Sequence, residues 1–199
     1  MKTMITAAFA AVLLAVPAFA QEKANEAAKS RSLEVSFDYK RQQTHGSNQF
    51  AVWIENDKGE LVKTLVVTAY TTKGRVRGNE KPMRGYVKRP YCVPSWVKVA
   101  KPEELTDQQL EAYSKATPSE SGVQSFTWDF TDQKGAKVQP GAYRVNVEAT
   151  IQDASRVIFT GTLAADAKPG SKVEFTSKFS EPILENYKDI VTNVKAVLK

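Results

Sequence analysis

The sequence predicts an all-β protein, an antiparallel β-sandwich of eight or nine strands with one short helix. Two observations favour this class. Apolar and polar residues alternate with a period of two in many segments, as in strands that have one face in a core and one in water. Turn-forming stretches stand between them, such as NDKG (Asn56 to Gly59) and TDQKG (Thr131 to Gly135), and both are predicted to be hairpin corners.

The strand segments follow one another along the chain. Four of them alternate clearly: LEVSFDYK, QSFTWDF, YRVNVEATI and KVEFTSKF. Two others, QFAVWIEN and LVKTLVVTAY, are apolar on both faces, so we expect them in the middle of a sheet that is covered on both sides or lies beneath a long loop. Trp53 and Trp128 each end an aromatic strand and are predicted to be core residues.

Helical spacing is found in one short segment and is ambiguous in another. PEELTDQQLEAYSKA (Pro102 to Ala116) places Leu105, Leu110 and Tyr113 on one side and is the predicted helix. The C-terminal segment fits an amphipathic helix or an alternating strand. Because its second half is β-branched, we favour a closing strand from about Ile190 to Leu198.

The N-terminus has the features of an export signal. Lys2 precedes an apolar run that is too short to span a bilayer, and AFA (Ala18 to Ala20) is a small-x-small cleavage pattern. We therefore expect residues 1–20 to be a signal peptide cut after Ala20, residues 21–31 a flexible polar leader, and residues 32–199 a single domain. The mature chain is expected in the periplasm, with no transmembrane segment.

Positive charge is concentrated in one part of the chain, which we call the basic segment, Thr71 to Lys101. The whole sequence has 28 Lys and Arg against 22 Asp and Glu. The basic segment alone holds nine cations and one acid, Glu80, so its net charge is 9 − 1 = +8. We predict that it is a long loop. Unstructured loops of this length are unusual in a compact domain unless they bind something or are mobile, so the segment is a candidate for binding.

Aromatic residues are interleaved with these cations. Arginine can hold carboxylates or phosphates through two hydrogen bonds, while aromatic rings offer flat apolar faces. The segment is therefore a candidate surface for an anionic ligand or an acidic periplasmic or membrane-bound protein. Nucleic acid is not an expected partner in the periplasm. The candidate residues are Arg75, Arg77, Arg84, Tyr86, Lys88, Arg89, Tyr91 and Trp96. The alternative is a solvated charged face with aromatic residues that pin the loop to the sheet.

Catalytic and metal-binding patterns are weak. His45 is the only histidine, and Cys92 is the only cysteine, so no intramolecular disulfide can form. No nucleophile motif or acid–base pair can be assembled from the sequence, and we expect a non-enzymatic protein without a cofactor or metal. An alternative is a metal- or redox-handling factor that uses His45 or Cys92. Cys92 could be reactive beside Lys88 and Arg89 if exposed, or buried beside Val93 and Trp96.

Several stretches resemble a known family: NQFAVWIENDKGELVKTLVVTAY, KRPYCVPSWVKVA, ATPSESG and WDFTDQKGAKVQPGAYRVNVEA, in this order. Together they resemble an uncharacterised bacterial family of predicted periplasmic proteins built on a domain of unknown function. The last stretch is also similar, at the level of fold, to the immunoglobulin-like module of flagellar hook-capping proteins, so the resemblance implies an immunoglobulin-like sandwich. A flagellar role is not expected, because flagellar rod and hook parts lack a cleaved signal.

The resemblance also implies a context. Members of the family tend to be encoded near flavin-attaching transferases, membrane-bound reductases with periplasmic domains and outer-membrane iron receptors. We therefore expect a monomeric accessory or binding protein with a possible link to periplasmic flavin and iron redox systems. A purely structural module without a ligand is the further alternative.

Overall fold

A computed structural model describes residues 31–44, 46–75, 78, 81, 83–151, 155–180 and 187–199. The predicted signal peptide and all of the leader except Arg31 lie outside these residues, as do His45 and Arg77.

The described residues form two β-sheets that face each other, and the predicted all-β sandwich is confirmed. They contain ten strands, rather than eight or nine: β1 Leu33–Tyr39, β2 Asn48–Glu55, β3 Leu61–Thr68, β4 Ser114–Lys115, β5 Gly122–Trp128, β6 Tyr143–Ile151, β7 Ser155–Leu163, β8 Lys172–Val173, β9 Phe175–Phe179 and β10 Val191–Leu198. Whether the sandwich is immunoglobulin-like stays a prediction.

The smaller sheet has the order β5-β1-β10-β8. Its central pair, β1 and β10, is antiparallel and joins the two ends of the domain, since Ser32 and Lys199 exchange backbone hydrogen bonds of 3.2 and 2.8 Å. The C-terminal segment is therefore a strand, which confirms the prediction made from its β-branched residues. The ladder shifts register between Ser36 and Asp38, opposite Asn193, which has a positive φ of 52°.

The larger sheet has the order β4-β3-β2-β6-β7-β9. The predicted hairpin corner between β2 and β3 is present: the Asn56 side chain accepts hydrogen bonds from the backbone of Lys58 and Glu60, and Gly59 has a φ of 79°. The second predicted corner, Thr131 to Gly135, is a tight turn too, but it lies between β5 and β6, which belong to different sheets. An antiparallel bridge between Thr131 and Lys137 closes this turn, so the predicted corner is present as a short hairpin, and the chain passes from one sheet to the other in this segment.

The first hydrophobic cluster, which we call the sandwich core, fills the space between the sheets. It includes Phe37, Phe50, Val147 and Leu198, all at most 1% exposed. Phe50 contacts three aromatic rings, with centroids 5.4 Å away in Phe37, 5.6 Å in Tyr39 and 6.2 Å in Phe126. Trp128 is fully buried in this cluster, and Trp53 is buried elsewhere, so both are core residues as predicted.

The second cluster, the outer core, covers the other face of the larger sheet. All eight residues of β2 are buried, which confirms a strand covered on both sides. The covering chain includes α1 Ala69–Lys73, α2 Gly85–Lys88, α3 Pro94–Ala100 and α4 Asp107–Glu111. The outer core consists of Ala51, Trp53, Val67, Val93, Trp96, Ala100, Leu110 and Tyr113.

Two sequence predictions about this covering chain are wrong. The basic segment is not a long loop, because it contains the end of α1 and all of α2 and α3, and its apolar residues pack on the sheet. The helix predicted from Pro102 to Ala116 is split into a 3-10 turn at Pro102–Glu104 and the five-residue α4, which begins at a capping box formed by Thr106 and Gln109. The chain then joins the sheet as β4.

Candidate functional site

A polar cleft of about 510 Å³ lies where the basic segment meets the loop between β1 and β2; we call it the basic cleft. Its described lining includes four cations, Arg41, Arg75, Lys88 and Arg89, and no aspartate or glutamate. The other lining residues are uncharged and mostly polar: Gln42, Gln43, Thr44, Gly46, Ser47, Asn48, Gln49, Tyr70 and Thr117. The cleft therefore concentrates positive charge among hydrogen-bonding groups.

Buried amides give the floor of the cleft its shape. Gln42 and Asn48 bond each other twice, since the Asn48 side chain accepts from the Gln42 backbone N–H at 2.8 Å and donates to its carbonyl at 3.0 Å. Gln49 is only 1% exposed and accepts from the hydroxyls of Thr68 and Thr71, at 2.5 and 3.0 Å. Buried hydrogen-bond networks of this kind restrict side-chain movement, so the floor between the cations has a defined shape.

The Ser47 hydroxyl is an exception in this floor. Its oxygen is buried and has no hydrogen-bond partner among the described residues. Since buried polar groups are nearly always paired, this hydroxyl adds a hydrogen-bonding group to the lining that the described part of the protein does not use.

Two glycines let α1 and α2 approach closely and set the position of Lys88 and Arg89. A Cβ on Gly85 would lie 1.9 Å from the carbonyl oxygen of Tyr70, and a Cβ on Gly74 would lie 1.9 Å from the carbonyl oxygen of Met83. Gly74 also has a positive φ of 70°. As a result of this approach, the Arg89 guanidinium lies over the Tyr70 ring, 5.4 Å from its centroid.

Arg41 is a site residue that the sequence reasoning missed. It lies in the loop between β1 and β2, far from the basic segment in sequence, and its guanidinium donates to the carbonyl of Pro118 at 2.9 Å. Its backbone N–H donates to the Ser121 hydroxyl. No charge run marks it in the sequence; the only available signal is a cation in the polar RQQTHGSNQ loop.

The structure brings three of the eight predicted surface residues into the cleft: Arg75, Lys88 and Arg89. Arg77 lies outside the described residues. Tyr86 and Tyr91 are partly buried in the basic segment and do not line the cleft.

Arg84 binds the protein itself. Its guanidinium donates to the carbonyls of Pro102 and Leu105, at 2.7 and 3.2 Å, and pairs with Asp107 at 3.0 Å. These three contacts connect the start of α2 to the chain around the start of α4. The guanidinium therefore already uses three of its donors within the protein.

Trp96 is a correction to the predicted surface. It is fully buried in the outer core, with its indole N–H donating to the Thr64 hydroxyl at 3.0 Å. The charged residues around it in sequence suggested an exposed ring, but α3 turns this side chain toward the sheet. It anchors the basic segment and does not face a ligand.

A buried carboxylate, Glu148, also fixes the start of α3 on the larger sheet. Glu148 on β6 is completely buried and accepts from the backbone N–H groups of Ser95 and Trp96, at 3.0 and 3.2 Å, at the start of α3. Arg156 pairs with its other oxygen at 2.7 Å. Burial raises the pKa of Glu148, against the opposing effects of Arg156 and the two backbone donors.

The metal and redox alternative receives no geometric support from Cys92. The thiol is buried, and burial raises its pKa to about 12, although the nearby Arg89 acts in the opposite direction. A thiol with this pKa is almost entirely protonated at neutral pH and is a poor nucleophile or ligand. His45 lies outside the described residues, and no group of three or more His, Cys, Asp or Glu in the described part of the chain could hold a metal ion.

The chain matches one known protein family over most of its length. Residues 30–179 match the family described as "Predicted periplasmic protein (DUF2271)". The chain belongs to this family. The predicted family resemblance is confirmed, and the periplasmic assignment is that of the family. No curated protein and no solved structure gives a significant match to the chain.

Membership of this family fits the sequence expectation of an exported protein, while the cleavage site after Ala20 stays a prediction. Within the described residues, no helix has both the length and the apolar character needed to cross a bilayer.

Proposed function

We propose that this member of the family is a non-enzymatic binding or accessory protein of the periplasm, and that the basic cleft holds an anionic ligand or an acidic group of a partner protein. One observation carries the proposal. Cations from the β1–β2 loop and from both sides of α2 line one cleft whose described residues include no acid. An anion in this cleft would interact favourably with several positive charges at once.

The chemistry of the lining supports an anion with several oxygens. Guanidinium groups bind carboxylate or phosphate oxygens through paired hydrogen bonds, and amides and hydroxyls can complete the coordination. The volume of about 510 Å³ is in the range of small-molecule sites, and a mostly polar lining suits a charged ligand better than an apolar one.

The biological setting that the family resemblance implies gives this proposal a candidate context. Flavin and haem groups carry phosphates or carboxylates, and redox proteins often present acidic faces. We propose that the protein acts as a monomer beside periplasmic flavin or iron redox systems and contacts such groups through the cleft.

Charge reversal in the cleft tests the proposal. The triple variant Arg75→Glu, Lys88→Glu, Arg89→Glu is compared with a matched control, Lys58→Glu, Lys115→Glu, Lys134→Glu, which changes the charge equally at exposed positions outside the cleft. Binding of inorganic phosphate, pyrophosphate and citrate is measured by calorimetry at low salt, and thermal melting confirms that each variant is folded.

We expect at least one of the three anions to bind the wild type. The cleft variant should lose at least about a hundredfold in affinity, since even one charge-assisted contact contributes about 1.5–3 kcal/mol, whereas the control should change by less than about threefold. Periplasmic crosslinking of the same variants tests the partner. Equal losses in the two triple variants, or wild-type protein that binds none of the anions and crosslinks to the same proteins as the cleft variant, would overturn the proposal.

A further inference from the structure

A second cleft, on the outer face of the larger sheet, contains a buried amide with an unused donor. Trp53, Asn146 and Thr160 stand directly opposite one another on β2, β6 and β7, so their side chains share this face. They line a cleft of about 470 Å³ between the sheet and α3, which we call the amide cleft. Its other lining residues are Glu55, Gly59, Ser95, Lys98, Val99, Arg144 and Ile158.

Most polar groups of the amide cleft are paired within the protein. The Trp53 indole N–H donates to one oxygen of Glu55 at 2.7 Å, and Arg144 donates to the other oxygen at 3.0 Å. The Thr160 hydroxyl donates to the side-chain oxygen of Asn146 at 3.0 Å. Glu55 is therefore engaged on both oxygens by residues that line the same cleft.

Asn146 differs from these groups. It is only 2% exposed, and its side-chain nitrogen has no hydrogen-bond partner among the described residues. An amide N–H that is buried without a partner is rare in folded proteins, because burial removes its bonds to water and nothing replaces them. At the wall of a cleft, such a donor marks a place where an acceptor atom can bind.

The remaining lining indicates what would carry that acceptor. Val99 and Ile158 are apolar and pack at the edge of the outer core, and Trp53 adds an aromatic surface. Lys98, which is exposed, adds a positive charge, while the charges of Arg144 and Glu55 offset each other. The cleft thus combines an apolar wall, a hydrogen-bond donor and a net positive charge.

We infer that the amide cleft binds a small molecule with an apolar body and an acceptor oxygen, of the class of aromatic or aliphatic carboxylates, with this oxygen accepting from the Asn146 side-chain nitrogen. The lining residues of the amide cleft and of the basic cleft do not overlap. The inference therefore does not rest on the proposed function and can hold or fail independently of it.

Nuclear magnetic resonance of the ¹⁵N-labelled protein tests this inference, with benzoate as the probe. Benzoate has only acceptor oxygens on an apolar ring, and benzylamine is the matched probe that has only donors. We expect benzoate to shift the Asn146 side-chain NH₂ signals and the Trp53 indole N–H signal in a saturable manner, and benzylamine to leave them unchanged. Absence of a saturable benzoate shift, or equal shifts with the two probes, would overturn the inference.

Two variants separate a bound ligand from a general effect on the fold. Asn146→Leu removes the donor and should weaken benzoate binding at least tenfold, as seen on the Trp53 signal. Val99→Trp fills the cleft without changing Asn146 and should abolish the shifts, while Val123→Trp, at an edge-strand position that is 69% exposed, is the matched control and should not. If Asn146→Leu does not fold, the Val99 and Val123 pair still decides: equal benzoate binding in these two variants contradicts the site.

Discussion

The two faces of the larger sheet are covered in different ways. On the inner face, the sandwich core is built from alternating strands of both sheets, and its buried members are almost all apolar. On the outer face, the outer core is covered by short helices and connecting chain, and buried polar groups hold that cover in place: Glu148 at the start of α3 and Thr64 beneath Trp96.

The difference shows what each kind of cover requires. Two sheets that face each other interdigitate along their whole length, so apolar packing alone fixes their position. Helices of four to seven residues bury little surface, and directional hydrogen bonds must fix where they lie. Both clefts are formed by this hydrogen-bonded cover, where residues distant in sequence are brought together.

The largest effect is expected in the sandwich core. Phe50→Ala removes a ring that contacts three other aromatic side chains and should lower the free energy of unfolding by about 4 kcal/mol. Urea denaturation followed by far-UV circular dichroism measures this loss. The exposed Val123→Ala is the control, and a loss below about 1 kcal/mol at Phe50 would show that the sheets do not depend on this packing.

A smaller and more local effect is expected in the outer core. Trp96→Phe removes the indole N–H and leaves the buried Thr64 hydroxyl without its donor, at a cost of about 2 kcal/mol. Local opening should then expose Cys92, and the rate of thiol labelling should rise at least about tenfold. Thr64→Val, which removes the other partner of the same bond, completes a double-mutant cycle.

The contrast would be lost if Trp96→Phe changed the urea midpoint as much as Phe50→Ala and left Cys92 labelling unchanged. The outer core would then unfold only together with the sandwich, and the hydrogen bonds would not act locally.

The smallest effect is a change in pH dependence. Because burial raises the pKa of Glu148 in the folded protein, the folded state binds more protons than the unfolded state above its ordinary value of 4.5. The associated stability is fully present below that pH and is lost as the pH rises through the folded-state pKa. The Glu148→Gln variant has no titrating group at this position. Its free energy of unfolding, relative to that of the wild type, should therefore increase as the pH rises.

Urea titrations at about pH 5 and about pH 8 measure this difference. Glu60→Gln, at an exposed position in the β2–β3 turn, is the matched control for replacing one carboxylate by an amide. A wild type that gains stability over Glu148→Gln as the pH rises would reverse the sign and show that Arg156 and the backbone donors outweigh burial.

Strands could be predicted from the sequence because alternation is a local pattern. Leu33, Val35, Phe37 and Tyr39 face the core as their spacing requires, and the β-branched C-terminus forms a strand. The position of the Thr131 to Gly135 turn could also be predicted, but not its partners, since a turn signal does not tell which sheet the next strand joins.

The candidate site could be predicted only in part. The charge run identified Arg75, Lys88 and Arg89, but a one-dimensional count of charge cannot distinguish a cation that faces solvent from one, such as Arg84, that donates to carbonyls of its own chain. Arg41 could not be found because its neighbours in space are distant in sequence. Asn146 stands in an alternating strand, where its position suggests an exposed residue; only the cover of α3 and its surroundings buries it.

The paired backbone bonds between Ser32 and Lys199 also decide how the domain can be attached. Both termini of the folded unit leave the same end of the smaller sheet, side by side on its central strands. A tag, a fusion partner or a solid support linked to either one therefore holds the molecule in nearly the same orientation, and a surface-based assay would present the same faces to solution whichever terminus is chosen.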